Sequence, residues 1–132
     1  MKKKKAHRII TTILSVILII YLAMLVNTNS LMRYVRDVFL WRVDSAETIG
    51  RPINRYNDSN RLATVELGEV KLTLIRMFTL HNFRDGYIWA YYSYEAHDTD
   101  GEIITGSWRI PTKWKIHKEN GVWKIVEIIE AP

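Results

Sequence analysis

An uncharged stretch of 18 residues, residues 9–26 (IITTILSVILIIYLAMLV), constrains this chain more than any other feature. Its only polar side chains are Thr11, Thr12, Ser15 and Tyr21, and in a helix such hydroxyls bond back to carbonyls of the preceding turn. At a rise of ~1.5 Å per residue the stretch spans roughly 27 Å, close to the hydrocarbon thickness of a bilayer. A core helix of a soluble protein rarely runs so long without a charge, so the pattern predicts one membrane-spanning helix. Residues 1–8 carry Lys2, Lys3, Lys4, Lys5 and Arg8 with no acid, whereas beyond the stretch Arg33, Arg36 and Arg42 are mixed with Asp37 and Asp44. The positive-inside rule then places residues 1–8 in the cytoplasm and residues 27–132 outside the cell membrane. A cleaved secretory signal would share the basic start, but its apolar core is shorter, ~7–15 residues, and ends in a small-x-small site. Leu25-Val26-Asn27 offers no such site, which favours an uncleaved anchor.

The anchor also explains the alkaline balance of the chain. Five of the 19 basic residues lie in the first 26, and residues 27–132 hold 14 basic against 14 acidic side chains. A nucleic-acid-binding domain would carry its excess positive charge on the folded part, so no nucleic-acid partner is expected. The chain has no cysteine, which excludes disulfides, thiol chemistry, Cys-containing zinc sites and a lipid anchor on an N-terminal cysteine. The exported part must hold by packing alone, and its length suits one small domain.

After the polar break Asn27-Thr28-Asn29-Ser30, residues 31–46 (LMRYVRDVFLWRVDSA) read as a helix of about four turns. Leu31, Val35, Val38 and Trp41, with Met32, Phe39 and Val43, form a broad apolar stripe, and Arg33, Arg36, Asp37 and Asp44 mark the wet side. Such a helix either lies in the membrane interface or packs as a lid on a sheet, and the chain that follows needs a lid. Residues 50–60 (GRPINRYNDSN) are loop-forming. Asn57-Asp58-Ser59 matches a glycosylation acceptor but reads as an ordinary turn in a chain with a bacterial-looking start.

Beyond Val70 three Asx-Gly pairs, Asp85-Gly86, Asp100-Gly101 and Asn120-Gly121, separate runs rich in Val, Ile, Thr, Tyr and Trp. Such a pair between β-prone runs is the strongest short-range hairpin signal, since a type I′ turn needs two residues that accept positive φ. Three of them predict a four-stranded antiparallel meander. Taking each pair as a two-residue turn fixes the register and therefore the faces. The expected core face collects Leu74, Arg76, Phe78 and Leu80, then Tyr87, Trp89, Tyr91, Ser93, Glu95 and His97. From the last two strands it collects Trp108, Ile110, Thr112, Trp114 and Ile116, and Trp123, Ile125, Glu127 and Ile129. The other face, expected to be partly wet, carries Thr79, His81, Ile88, Ala90, Tyr92 and Tyr94 with Arg109, Lys113, Lys115, His117, Lys124 and Ile128. Gly106 and Pro111 mark a bend or bulge that would curl the sheet and shift the register beyond them.

One helix over a curled four-stranded meander is an α+β arrangement. The closing GVWKIVEIIEAP, with Gly121, Trp123, Ile125 and Ile128, resembles the last hairpin of NTF2-like and cystatin-like domains. A single clear helix before the sheet favours the smaller cystatin-like version. Membrane-anchored members of this superfamily serve as scaffolds in secretion and conjugation machines, so the resemblance implies a binding or assembly role.

Two constellations are candidates for function. In the derived register Arg76 falls opposite Glu95, with His97 two residues further along, and this trio would line a small ligand pocket or stand as an ordinary cross-strand ion pair. Arg109, Lys113, Lys115, His117 and Lys124 form a basic row near Tyr92 and Tyr94 that would meet a protein partner or simply keep a sheet face soluble. His81, His97 and His117 lie on separate strands without ligand spacing, so no metal is expected, and no cofactor motif or nucleophile motif is present. The expectation is therefore a single-pass extracytoplasmic protein with a non-enzymatic, partner-binding role. The alternative is an NTF2-like ligand carrier or enzyme with a cavity between helix and sheet.

Overall fold

The computed structural model describes residues 1–57 and 67–130. Helix α1 (Lys2–Asn27) is followed, after the single buried residue Thr28, by α2 (Asn29–Phe39). A short helix α3 (Ser45–Thr48) and a 3-10 turn (Pro52–Tyr56) lead to the sheet. Strands β1 (Leu67–His81), β2 (Asp85–Asp98), β3 (Ile103–Glu119) and β4 (Val122–Glu130) form one antiparallel sheet in the order β1-β2-β3-β4. The chain is thus an apolar helix followed by an α+β meander. An 18-residue window of α1 has mean hydropathy 2.8 with none of it buried, so by length and composition the helix can cross a membrane. Three of the polar side chains in its apolar run are satisfied within the helix: Thr11, Thr12 and Ser15 donate to the carbonyls of His7, Arg8 and Thr11 at 2.9, 2.9 and 2.8 Å.

Helix α2 is shorter than the expected 31–46 because the chain turns left-handed at Trp41 (φ 61°). The Arg42 N–H reaches the Asp37 carbonyl at 2.9 Å and the Trp41 N–H the Val38 carbonyl at 3.2 Å, which is a Schellman stop. Glycine usually takes that position; here the indole is pinned instead, with Trp41 Nε1 donating to the Tyr94 hydroxyl at 3.0 Å. Leu31, Val35, Val38 and Phe39 are buried, so α2 is a lid rather than a helix lying on lipid.

The sheet's faces differ from the two-residue-turn reading, and the reason lies in the turns and bulges. Only Asn120-Gly121 (φ 51° and 78°) forms the expected turn, pairing Glu119 with Val122. At the second hairpin the Asp98 carboxylate accepts the N–H groups of Asp100 and Glu102, both at 2.9 Å, around a three-residue loop. At the first, Asn82 Oδ1 accepts the Arg84 and Asp85 N–H groups at 3.0 and 2.8 Å, so residues 82–85 make the turn. Gly86 then sits within the ladder opposite His81, where a Cβ would collide with the Leu80 carbonyl. Bulges at Met77, at Trp108-Arg109 and at Val126 each add one residue to a strand, and each exchanges the faces beyond it.

The buried face consequently carries Leu74 and Thr79, Ile88, Ala90, Tyr92, Tyr94 and Ala96, Thr112, Trp114 and Ile116, and Trp123 and Ile125. Strand β2 is inverted relative to expectation: Tyr87, Trp89, Tyr91, Ser93, Glu95 and His97 line the outer face, and Trp108 is 55% exposed. Glu127 and Ile129 are exposed, and Ile128 packs on the core instead. At the centre, the buried Tyr56 ring stacks on Phe39 at 4.3 Å. Its hydroxyl donates to Glu130 Oε1 at 2.5 Å, accepts Trp114 Nε1 at 3.0 Å, and meets Thr112 Oγ1 at 3.0 Å. The Glu130 side chain, 2% exposed, also holds Arg55 at 3.0 Å and the Tyr92 hydroxyl at 3.2 Å. Burial drives the Tyr56 hydroxyl upward, so it remains a proton donor. Of the acceptor triplet, Asn57 is buried and donates to Thr48 Oγ1 at 3.3 Å; Asp58 and Ser59 lie outside the described residues.

Candidate functional site

The last carbonyls of a helix lack partners within it, and at the end of α1 the sheet supplies them. Arg76 Nη1 donates to the Leu25 carbonyl at 3.1 Å and to Thr28 Oγ1 at 2.9 Å, and its Nη2 donates to Asn29 Oδ1 at 2.9 Å. This cation sits where the helix dipole is negative. Partial burial lowers its pKa from the ordinary arginine value. His81 Nδ1 accepts the Phe83 N–H at 2.9 Å, which leaves the proton on Nε2 to be donated to the Met24 carbonyl at 3.0 Å. Trp123 Nε1 donates to Asn27 Oδ1 at 2.8 Å, and the Tyr21 ring stacks on Phe78 at 5.6 Å while its hydroxyl accepts the Thr79 N–H at 3.4 Å. This last bond and the helix itself shield part of the otherwise open edge of β1. Residues 21–28 are therefore part of the folded domain as well as the end of the apolar helix.

A second cluster occupies the outer face. Glu95 Oε1 accepts Trp108 Nε1 at 2.8 Å, and Glu95 Oε2 lies 3.2 Å from His97 Nε2. His97 Nδ1 lies 3.0 Å from the Gly101 carbonyl. Both ring nitrogens thus face acceptors, an arrangement that suits the imidazolium. The Trp108 indole N–H and then His97 hold the Glu95 carboxyl below its ordinary value, and the Gly101 carbonyl and then Glu95 hold His97 above its own. The Trp108 indole lies over Gly106, leaving no room for a side chain there.

The expected meeting of Arg76 with Glu95 does not occur. The turn at residues 82–85 moves the register by four residues and the bulge at Met77 by one more, so Arg76 pairs with Ala90 and Lys71 takes the place opposite Glu95. Glu95 and His97 are together; Arg76 points to α1 instead. Lys113, Lys115, His117 and Lys124 share the outer face with Tyr87 and Trp89 rather than with the buried Tyr92 and Tyr94. Lys113 Nζ stands 4.3 Å from the Tyr87 ring centre and 5.2 Å from that of Trp89. Lys124 pairs with Glu119 at 3.2 Å and His117 with Asp85 at 2.6 Å, so the face is close to charge balance. Arg109 sits on the bulge at φ 50°, its N–H on Ser93 Oγ at 2.9 Å. Among the described residues no three His, Asp or Glu side chains are grouped to hold a metal.

A groove of about 290 Å³ opens between α2, the α3 to 3-10 segment and β4, with Tyr34, Ile53, Trp123 and Ile125 among its walls and Glu47, Arg51 and Lys124 at its polar side. Neither this groove nor the seam at α1 is visible in local sequence patterns. Tyr21, His81 and Trp123 belong to three separate elements, and nothing in their immediate neighbours marks them as partners. No family model, curated protein or solved structure matches the chain.

Proposed function

We propose that this is a single-pass membrane protein with a cytoplasmic N-terminus, whose outer domain is a cystatin-like or NTF2-like module that binds a protein partner non-enzymatically during assembly of an envelope complex. The observation that carries the reading is the division of the sheet into two unlike faces. The inner face is closed by α2 and by the Tyr56 network, whereas the outer face offers Trp89, Tyr91 and Trp108, side chains of the kind enriched at interface centres, with Lys113 and Lys115 beside them as a polar rim. The stitched end of α1 supports the same role, because a scaffold must hold its binding face at a set height and angle. Photo-crosslinking in native membranes tests it. A benzoyl-phenylalanine at Tyr91 should give a discrete adduct with an envelope protein, and one at Glu47 on the opposite side should not. Equal labelling at both positions, or none at Tyr91, would reject the outer face as the contact.

The groove beside α2 favours a second reading, a small-ligand carrier. Stabilisation in a thermal-shift screen that is abolished by Tyr34→Ala would support it over the scaffold.

A further inference from the structure

The apolar part of α1 is used twice, once as a span and once as a packing surface for β1, and the two uses compete for length. If the membrane ended where the domain begins, at Tyr21, only residues 9–20 would remain to cross it, roughly 18 Å of helix against ~30 Å of hydrocarbon. Residues 21–26 supply most of the missing length, roughly 9 Å. They are bonded to the end of β1, at Arg76, Thr79 and His81, so that end and the hairpin that continues from it must sit at a similar depth. The exposed side chains there suit that depth. On α1, Leu22 is 50% and Val26 69% exposed; on the sheet, Phe78 is 44%, Leu80 50% and Phe83 43% exposed. Phe78 stacks on Tyr21, and Phe83 lies edge-on to His81 at 4.8 Å, whose ring bonds Met24. Several polar groups that would accompany them already have partners: Tyr21, His81 and the Thr79 N–H bond one another or α1, while the Thr79 hydroxyl, enclosed away from lipid, has none. Arg84, next to Phe83, has the long stem needed to reach phosphates while the ring beside it is immersed.

We propose that the domain is seated in the outer leaflet rather than held above it, with Phe78, Leu80 and Phe83, together with Leu22 and Val26, entering the boundary between acyl chains and headgroups. The partner of this surface is the lipid of the membrane that α1 crosses, and the inference rests on the reading of α1 as a span. Aromatic rings favour that boundary, and it holds enough water to satisfy the turn's remaining backbone groups, which the hydrocarbon centre would not.

The chain's lack of cysteine permits a clean test on the full-length protein. Single spin labels are placed through Val16→Cys, Leu80→Cys, Phe83→Cys and Asp100→Cys, in vesicles of phosphatidylethanolamine with phosphatidylglycerol. Each label is read for collision with oxygen, which concentrates in lipid, and with a nickel chelate, which stays in water. Leu80 and Phe83 are exposed, so their replacement leaves the core intact, which near-UV circular dichroism verifies. The Val16 label should be deep. The labels at 80 and 83 should favour oxygen over nickel, and the label at Asp100, on the hairpin at the other end of β2, should show the reverse. Labels at 80 and 83 that match Asp100 while Val16 remains in lipid would overturn the seating and leave the span standing. A Val16 label open to nickel would remove the span, and the seating with it.

Discussion

Tyr56→Phe isolates the polar centre of the domain with little change in shape. The ring keeps its stack on Phe39 and its burial; only the hydroxyl goes. Trp114, with no exposed surface, then has an indole N–H with its acceptor removed, a loss worth about 1–2 kcal/mol. The Glu130 carboxylate loses its 2.5 Å donor but keeps Arg55 and Tyr92, which sets that term near the low end for a bond to a charged group, about 1.5 kcal/mol. Together they give about 3 kcal/mol, a large part of the ~5–15 kcal/mol that holds a domain of this kind. Urea unfolding of the full-length protein in detergent micelles, followed by tryptophan fluorescence, reads it directly. At a slope of ~2 kcal/mol per molar the midpoint should fall by roughly 1.5 M with the slope unchanged. A fall below roughly 0.3 M would mean that water serves Trp114 and Glu130 as well as Tyr56 does, and the centre would have to be wet.

Trp114→Ala should cost ~3–5 kcal/mol because its side chain is wholly enclosed, whereas Trp108→Ala, at 55% exposure, should cost under ~1 kcal/mol; thermal melting of the two variants would reverse that order if the outer face were the core. The Glu95–His97 pair should hold fully only in a window of mildly acid pH. Glu95's depressed folded value makes its contribution complete above the ordinary 4.5 and lost as pH falls through the folded value. His97's raised folded value makes its contribution complete below the ordinary 6.5 and lost as pH rises through the folded value. The Trp108 indole N–H resonance should report both limbs, and His97→Gln should abolish the alkaline one; an indole shift that ignores pH above 6.5 would deny the coupling.

Order of elements was legible from sequence, and handedness of faces was not. The uncharged run, the apolar stripe from Leu31 to Phe39 and the β-prone runs between Asx-Gly pairs report on local physics, which a single chain writes plainly. Which side of β2 is buried depends on one extra residue at Met77 and another at Trp108-Arg109. Met77 carries no mark of its bulge, since an aliphatic residue fits a strand as well as a bulge. Gly106 and Pro111 did mark the irregularity in β3, but it falls between them, where the Arg109 N–H leaves the ladder for Ser93. Strand β4 was right up to Ile125 because its turn has the assumed type, and wrong beyond Val126 for want of one residue. Arg76 lies five residues from the expected Glu95, four through the turn at 82–85 and one through Met77, and the helix end offers it a carbonyl and a hydroxyl that no charge pattern reveals.

The seam at the end of α1 also fixes an azimuth. Tyr21, Met24, Leu25 and Thr28 all meet the sheet, so the helix cannot swivel beneath its domain as a cable would. Each residue turns a helix by about 100°, and counting back from the seam puts Leu14 and Ile17 under the domain and Thr12 and Ser15 on the far side. With α1 as the proposed span, the bearing of every side chain within the bilayer is locked to the bearing of the sheet. One apolar residue inserted between Ile17 and Tyr21 would keep the hydrophobicity and add only about 1.5 Å of length, yet rotate the lower helix by about 100° and rewrite which of its flanks neighbouring helices can touch.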